Sequence, residues 1–222
     1  MLAKLMGLFL LALVRVLTGA QARWYGCPPK AEQRIYFANH QSHADLVMIW
    51  AALPEELRAI TRPIAAKDYW TKTAFKQWLT TAVFNAVYVD RGKNWGQIPI
   101  SPDDGRANPE SDPDSSDPLQ PLIDALLAGD SLIIFPEGTR GNAEEPQAFK
   151  AGLYNLAQQF PLVVLVPAWI DNIQRVMPKG EVVPVPILCS VTFGAPIRLE
   201  PGEERRNFLD RARQAVIALR DV

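Results

Sequence analysis

With 222 residues the chain is long enough for one well-formed core, and its 48% hydrophobic and 21% charged residues exclude a disordered or fibrous protein. The net charge of −1 hides an uneven distribution: six acids and one arginine fall between Asp103 and Asp117, leaving the remainder net basic. A mildly basic body suits an anionic membrane surface or phosphate ligands, and the lack of any Arg/Lys-rich or aromatic-interleaved basic run argues against nucleic acid. The two cysteines, Cys27 and Cys189, are far apart and lack metal-ligand spacing. One disulfide is compatible with them, but two free thiols in a reducing compartment is the reading taken.

In chain order, an uncharged apolar run from Leu5 to Val14 comes first, flanked by Lys4 and Arg15. It is too short for a bilayer-spanning helix, which needs roughly 20 apolar residues. Ala20-Gln21-Ala22 resembles a signal-peptidase site, but Arg15 interrupts the approach to it and Arg23-Trp24-Tyr25 continues an interfacial pattern. On a helix Lys4 and Arg15 project about 20° apart, a thin polar stripe on an apolar rod. The expectation is a helix lying in the membrane interface; the alternative is a helix packed on the domain core.

Residues 33–38 read as a strand ending at an Asn39-His40 turn, and 45–53 as a helix stopped by Pro54. Strands are expected at 59–65 and 84–90, with a helical segment near 71–82 between them. Residues 131–135 form a short apolar strand running into the Pro136-Glu137-Gly138 turn. A helix at 149–160, strands at 162–169 and 189–193, and a closing helix at 203–219 complete the pattern. Strands alternating with helices predict an α/β fold with a mostly parallel central sheet flanked by helices. Residues 92–121 break the rhythm: dense in Pro, Asp, Ser and Gly, they bury too little apolar surface to offset ordering entropy, and read as a mobile acidic loop within one domain.

Two segments carry chemistry. In Asn39-His40-Gln41-Ser42-His43-Ala44-Asp45 a histidine and a carboxylate stand five apart. On one helix that spacing separates them by about 140°. They meet if His40 sits in the turn before the helix and Asp45 in its first turn, with Ser42 as N-cap and Asp45 as an acidic variant of the capping box. Asp45 then holds His40 in one tautomer, as in a general-base dyad. Alternatively Asp45 merely caps the helix and His40 is a polar turn residue. His40, His43 and Asp45 are also conceivable metal ligands, but the chain has no other His and no Cys cluster, so no metal site is expected.

The second segment is Phe135-Pro136-Glu137-Gly138-Thr139-Arg140, at a strand end, where open α/β sheets bind ligands. Gly138 permits a tight turn whose N–H groups bind anions, and Arg140 offers a forked donor suited to phosphate. Glu137 either accepts a ligand hydroxyl or locks Arg140. Taken alone, the segment also fits an ordinary strand-to-loop turn.

Together the segments resemble the glycerolipid acyltransferase family of 1-acylglycerol-3-phosphate acyltransferase type. Its His-x4-Asp hallmark is matched by His40 through Asp45, and its Phe-Pro-Glu-Gly-Thr-Arg hallmark letter for letter at 135–140. Val87-Tyr88-Val89-Asp90-Arg91 resembles its strand-plus-arginine block, Leu165-Val166-Pro167-Ala168-Trp169-Ile170 its later apolar block, and Phe149-Lys150-Ala151-Gly152 the segment after the glutamate motif. The resemblance spans roughly residues 33 to 198, and the acidic loop departs from it as an insertion. The chain is accordingly divided into a membrane-associated helix at 1–25, expected from its apolar run and flanking residues, and an acyltransferase domain at 26–222, implied by the resemblance.

The resemblance implies His40 and Asp45 as catalytic residues, and Arg91, Glu137, Gly138, Thr139 and Arg140 around an acceptor phosphate. Lys67 is a further candidate phosphate-facing cation, or a solvated lysine. The implied reaction is acyl transfer from acyl-CoA or acyl-carrier protein, as co-substrate and without other cofactor, to a lysophospholipid at the cytoplasmic face of a membrane. Most directly this is 1-acylglycerol-3-phosphate giving phosphatidic acid. The missing Gly-x-Ser-x-Gly elbow fits direct transfer without an enzyme nucleophile. Another lysolipid or lyso-aminolipid acceptor, a thioesterase or lipid hydrolase, and a non-catalytic lipid-binding protein remain alternatives.

Overall fold

Ile35, Tyr36 and Phe37 lie in a five-residue run buried on both sides, and this run is the middle of the sheet. The computed structural model describes residues 1–19, 21–42, 44–90, 119–141, 145–172 and 188–222. The strands are β1 (Gln21–Trp24), β2 (Arg34–Ala38), β3 (Thr61–Ala66), β4 (Val87–Val89), β5 (Ser131–Ile134), β6 (Val164–Ile170) and β7 (Ser190–Phe193). They form one seven-stranded sheet in the order β1-β7-β6-β2-β5-β3-β4. Every neighbouring pair is parallel except β6 with β7. The fold is therefore the mostly parallel α/β arrangement expected, with β1 and β7 running against the other five.

The helices are α1 (Leu2–Thr18), α2 (Asp45–Ala52), α3 (Glu55–Ala59), α4 (Lys67–Trp70), α5 (Ala74–Trp78), α6 (Gln120–Leu127), α7 (Gly152–Gln159) and α8 (Arg205–Ile217). Alternation along β2 sorts the core into two layers. Tyr36 and Ala38 face a cluster with Met48, Ile49 and Trp50 of α2, against which Leu10, Leu11 and Val14 of α1 pack. Ile35 and Phe37 face the opposite cluster, built from α6, α7 and Phe208, Ala212 and Val216 of α8.

Three local departures have physical causes. Gln21–Trp24, read with the interfacial segment, is an edge strand instead: it pairs along β7, and Trp24 stacks on Phe193 with ring centroids 4.1 Å apart. This pairing joins residues about 170 positions apart, which local pattern does not report. The strand expected at 84–90 is cut to Val87–Val89, because a π-helical turn runs through Leu79–Val83 and Asn85 takes a positive φ of 48°. The helix expected from 149 begins only at Gly152, since the Lys150 N–H donates to Pro136 C=O at 2.8 Å.

The first helix docks on the body through one face and leaves an apolar face uncovered. Its inner face packs on the body, where a Cβ placed at Gly7 would lie 3.5 Å from Val83 and 3.8 Å from Trp50. Its outer face leaves Leu2, Leu5, Leu8, Phe9, Leu13 and Val16 exposed. No helix among the described residues is long and apolar enough to cross a membrane.

Phe37 is fully buried and meets Phe149 edge-to-face at 6.3 Å. Phe37→Ala is expected to lower stability by about 3–5 kcal/mol, read as a shift of the urea midpoint at unchanged slope.

Candidate active site

The sheet positions the site at the carboxyl ends of its two central strands. As β2 ends, the Asn39 side chain pairs with the last residue of β6: its Nδ2 donates to Ile170 C=O at 3.1 Å and its Oδ1 accepts from Ile170 N–H at 2.8 Å. This fixes the chain direction immediately before His40. The backbone then curls round the carboxylate of Asp45, the first residue of α2. Oδ2 of Asp45 accepts from the N–H groups of Gln41 at 2.6 Å and Ser42 at 2.8 Å. Nδ1 of His40 lies 2.9 Å from the same oxygen.

The expected dyad is thus assembled, with a capping geometry slightly different from the one predicted. Asp45 does reach back to the Ser42 N–H as a capping box requires, but Ser42 Oγ accepts from Ala44 N–H at 3.2 Å, inside the turn, and Ala44 occupies the N-cap position. Asp45 is fully buried. Its charge is supported by the two N–H donors and by the positive end of α2. Since a carboxylate only accepts, Nδ1 carries a proton, which in the neutral imidazole leaves the lone pair on Nε2. The His40 ring stacks on Phe135, centroids 4.3 Å apart and planes 16° apart, and the side chain is 19% exposed.

The 135–140 segment leaves β5 beside it and clamps His40 from both sides. The His40 N–H donates to Glu137 Oε1 at 2.7 Å, and the His40 C=O accepts from Gly141 N–H at 2.8 Å. The second oxygen of Glu137 accepts from Gln147 N–H at 2.8 Å. Gly138 takes φ 72°, a left-handed conformation suited to glycine, and its N–H closes the turn on Phe135 C=O at 3.0 Å. A Cβ at Gly141 would stand 3.2 Å from Glu137 Oε2, so glycine is what lets this strand of the clamp close.

These contacts correct the expectation for Glu137. It neither faces a phosphate nor holds Arg140: it is buried, with both oxygens engaged by backbone N–H groups. Burial pushes its carboxyl above the ordinary range, opposed by the N–H groups of Gln147 and His40.

A cavity of about 330 Å³ opens beside His40. His40, Phe135, Gly138 and Arg140 form part of its wall, joined by Lys72, Lys150 and Asp68. The rest of the wall is largely apolar, including Leu119, Leu122, Ile134, Leu153 and Leu156. Of the residues expected around a phosphate, Gly138 and Arg140 are therefore at the cavity. Thr139 is exposed and outside its wall, as is Lys67. Arg91 and His43 lie outside the described residues.

Several contributors were not assigned roles from the sequence. Asn39, Phe135 and Gly141 act through backbone and stacking contacts that depend on three strand ends meeting. Lys150 adjoins the second motif, which offered a signal; Lys72 offered none.

A family model described as Acyltransferase matches residues 27–171. No curated protein matches the sequence. Among solved structures, the chain is similar in fold to the 1-acyl-sn-glycerophosphate (LPA) acyltransferase PlsC from Thermotoga maritima. The two are 20% identical over 99% of this chain and 78% of that one, with a TM-score of 0.66.

Glu137→Gln turns an amide N–H₂ against one of the two backbone donors, and is expected to cost about 1–3 kcal/mol of stability together with a loss of activity. The raised carboxyl means that the fold favours the protonated form, so Glu137 contributes most below the ordinary carboxylate range and less as pH rises through its folded-state pKa. Glutamine does not titrate there. The stability gap between wild type and variant should narrow from acid to neutral pH, measured by urea unfolding across that range.

Proposed function

The chain belongs to the acyltransferase family, and from that premise we propose that it transfers a fatty acyl group from an acyl thioester to the free hydroxyl of a lysophospholipid. The acceptor we favour is 1-acylglycerol-3-phosphate, giving phosphatidic acid. One observation carries this reading: His40, paired with the buried Asp45, stands in the wall of a largely apolar cavity that also carries Arg140, Lys72, Lys150 and Asp68. A phosphate-bearing, chain-bearing alcohol fits that combination.

In the proposed reaction, Nε2 of His40 takes the hydroxyl proton as the acceptor oxygen attacks the thioester carbonyl. Collapse of the tetrahedral adduct breaks the C–S bond, and the imidazolium returns the proton to the departing thiolate. Products are an ester and a free thiol, with His40 regenerated. Asp45 keeps the proton on Nδ1 and stabilises the imidazolium between the two transfers. Arg140, with Lys150 and Arg91, would hold the acceptor phosphate so that its hydroxyl lies against His40; positioning of this kind can supply roughly 7–11 kcal/mol of barrier reduction. Acyl-CoA or acyl-carrier protein would be the donor. The exposed apolar face of α1 supports work at a bilayer surface, and we place it on the cytoplasmic face, where such thioesters are found.

Thiol release from palmitoyl-CoA by the detergent-solubilised protein tests this reading. Release should require lysophosphatidic acid; release without acceptor would identify a thioesterase instead. Asp45→Asn should lower kcat by roughly 10²–10⁴-fold as the imidazole loses its tautomer. Arg140→Ala should raise KM for a phosphate-bearing acceptor while leaving KM for a phosphate-free lysolipid unchanged. Equal KM effects on both acceptors would remove Arg140 from phosphate binding and favour a different acceptor class.

A further inference from the structure

We infer that α4, α5 and the turn between them form a second membrane-contact surface at the lip of the cavity, fitted to a bilayer containing anionic lipid. The inference rests on the reading that the protein works on a membrane, and adds where, besides α1, the bilayer is touched.

Four observations converge on this lip. Phe75, on a short helix none of whose residues is buried, is 60% exposed. Trp78 lies beside it, ring centroids 6.2 Å apart, and on α4 Tyr69 and Trp70 meet edge-to-face at 5.3 Å; all three side chains are only half-buried. Large amphipathic rings of this kind favour the headgroup region.

Lysines are interleaved with these rings. Lys67, Lys72 and Lys76 lie in the same ten-residue stretch with Asp68 as its only acid, and the Lys76 ammonium sits 4.0 Å over the Tyr69 ring. A cation carried on an aromatic platform presents both parts to an anionic interface.

The lip is also continuous with two other features. Asp68, Tyr69, Trp70 and Lys72 are cavity wall. On the other side α5 runs directly into the π-helical turn Leu79–Val83, whose Val83 meets Gly7 of α1. The segment that carries the lip thus runs on into the turn on which α1 docks, while the apolar outer face of α1 stays exposed. A lipid substrate entering past the lip would pass from bilayer to cavity over Tyr69, Trp70 and Lys72.

The test uses the full-length chain as Phe75→Cys, labelled with an environment-sensitive NBD maleimide. Cys27 and Cys189 are buried, so the label goes to position 75. Leu162→Cys is the control: Leu162 is 91% exposed in the turn before β6, at the opposite end of the parallel strands from His40. On phosphatidylglycerol–phosphatidylcholine vesicles the label at 75 should shift to the blue and be quenched by doxyl-labelled lipid, while the label at 162 is unaffected. Lys76→Gln should weaken partition onto those vesicles by roughly fivefold and leave partition onto pure phosphatidylcholine vesicles unchanged. Protein that sediments with vesicles while position 75 stays in water overturns this inference and leaves docking through α1 standing. Protein that does not sediment at all overturns the membrane reading with it.

Discussion

The site depends on one constraint: the peptide groups of His40 are held from both sides by the turn that follows β5. Glu137 takes its N–H and Gly141 gives an N–H to its C=O, so the two motifs cannot move independently. Asn39 adds a third anchor by pairing with the end of β6. Three adjacent strand ends are thereby tied at two successive residues, Asn39 and His40. What remains free is the imidazole edge, and that edge is set by Asp45 and Phe135.

This arrangement explains how a buried carboxyl at Glu137 is tolerated with no Lys or Arg paired to it among the described residues. Two backbone N–H groups replace much of its lost hydration, and the donors come from segments that would otherwise have loose backbone at a strand end. The same logic applies to Asp45, whose Oδ2 gathers three donors at the start of a helix. Both acids serve geometry. Cationic side chains are left to line the cavity, where among the described residues Arg140, Lys72 and Lys150 outnumber Asp68. A cavity wall with spare positive charge is what an anionic substrate requires.

The sequence made much of this legible. The alternation of strands and helices follows from short-range pattern, and five of the expected strands appear near their expected bounds. The meeting of His40 with Asp45 is one of two arrangements that spacing and helix-start chemistry allow, and the fold adopts it. What local reasoning could not supply were partners distant along the chain. The edge strand Gln21–Trp24 is exposed and unremarkable until β7 lies beside it. Glu137 looked like a ligand group because its motif sits next to Arg140; only the fold brings the His40 and Gln147 N–H groups to its oxygens. Lys72 reaches the cavity through the turn after α4, a position no pattern of residues announces. For α1, sequence offered two alternatives, docked on the core or lying on a membrane. The fold shows the docked face, and the second, exposed face is also apolar.

The central claim is that His40 activates a lipid hydroxyl for acyl transfer. It is tested most directly by mass spectrometry of the lipids formed from palmitoyl-CoA and lysophosphatidic acid by the wild type and by His40→Ala. The account predicts phosphatidic acid carrying the palmitoyl chain with the wild type, and none above background with the variant while its fold is retained. Phosphatidic acid formed equally by both proteins would contradict it.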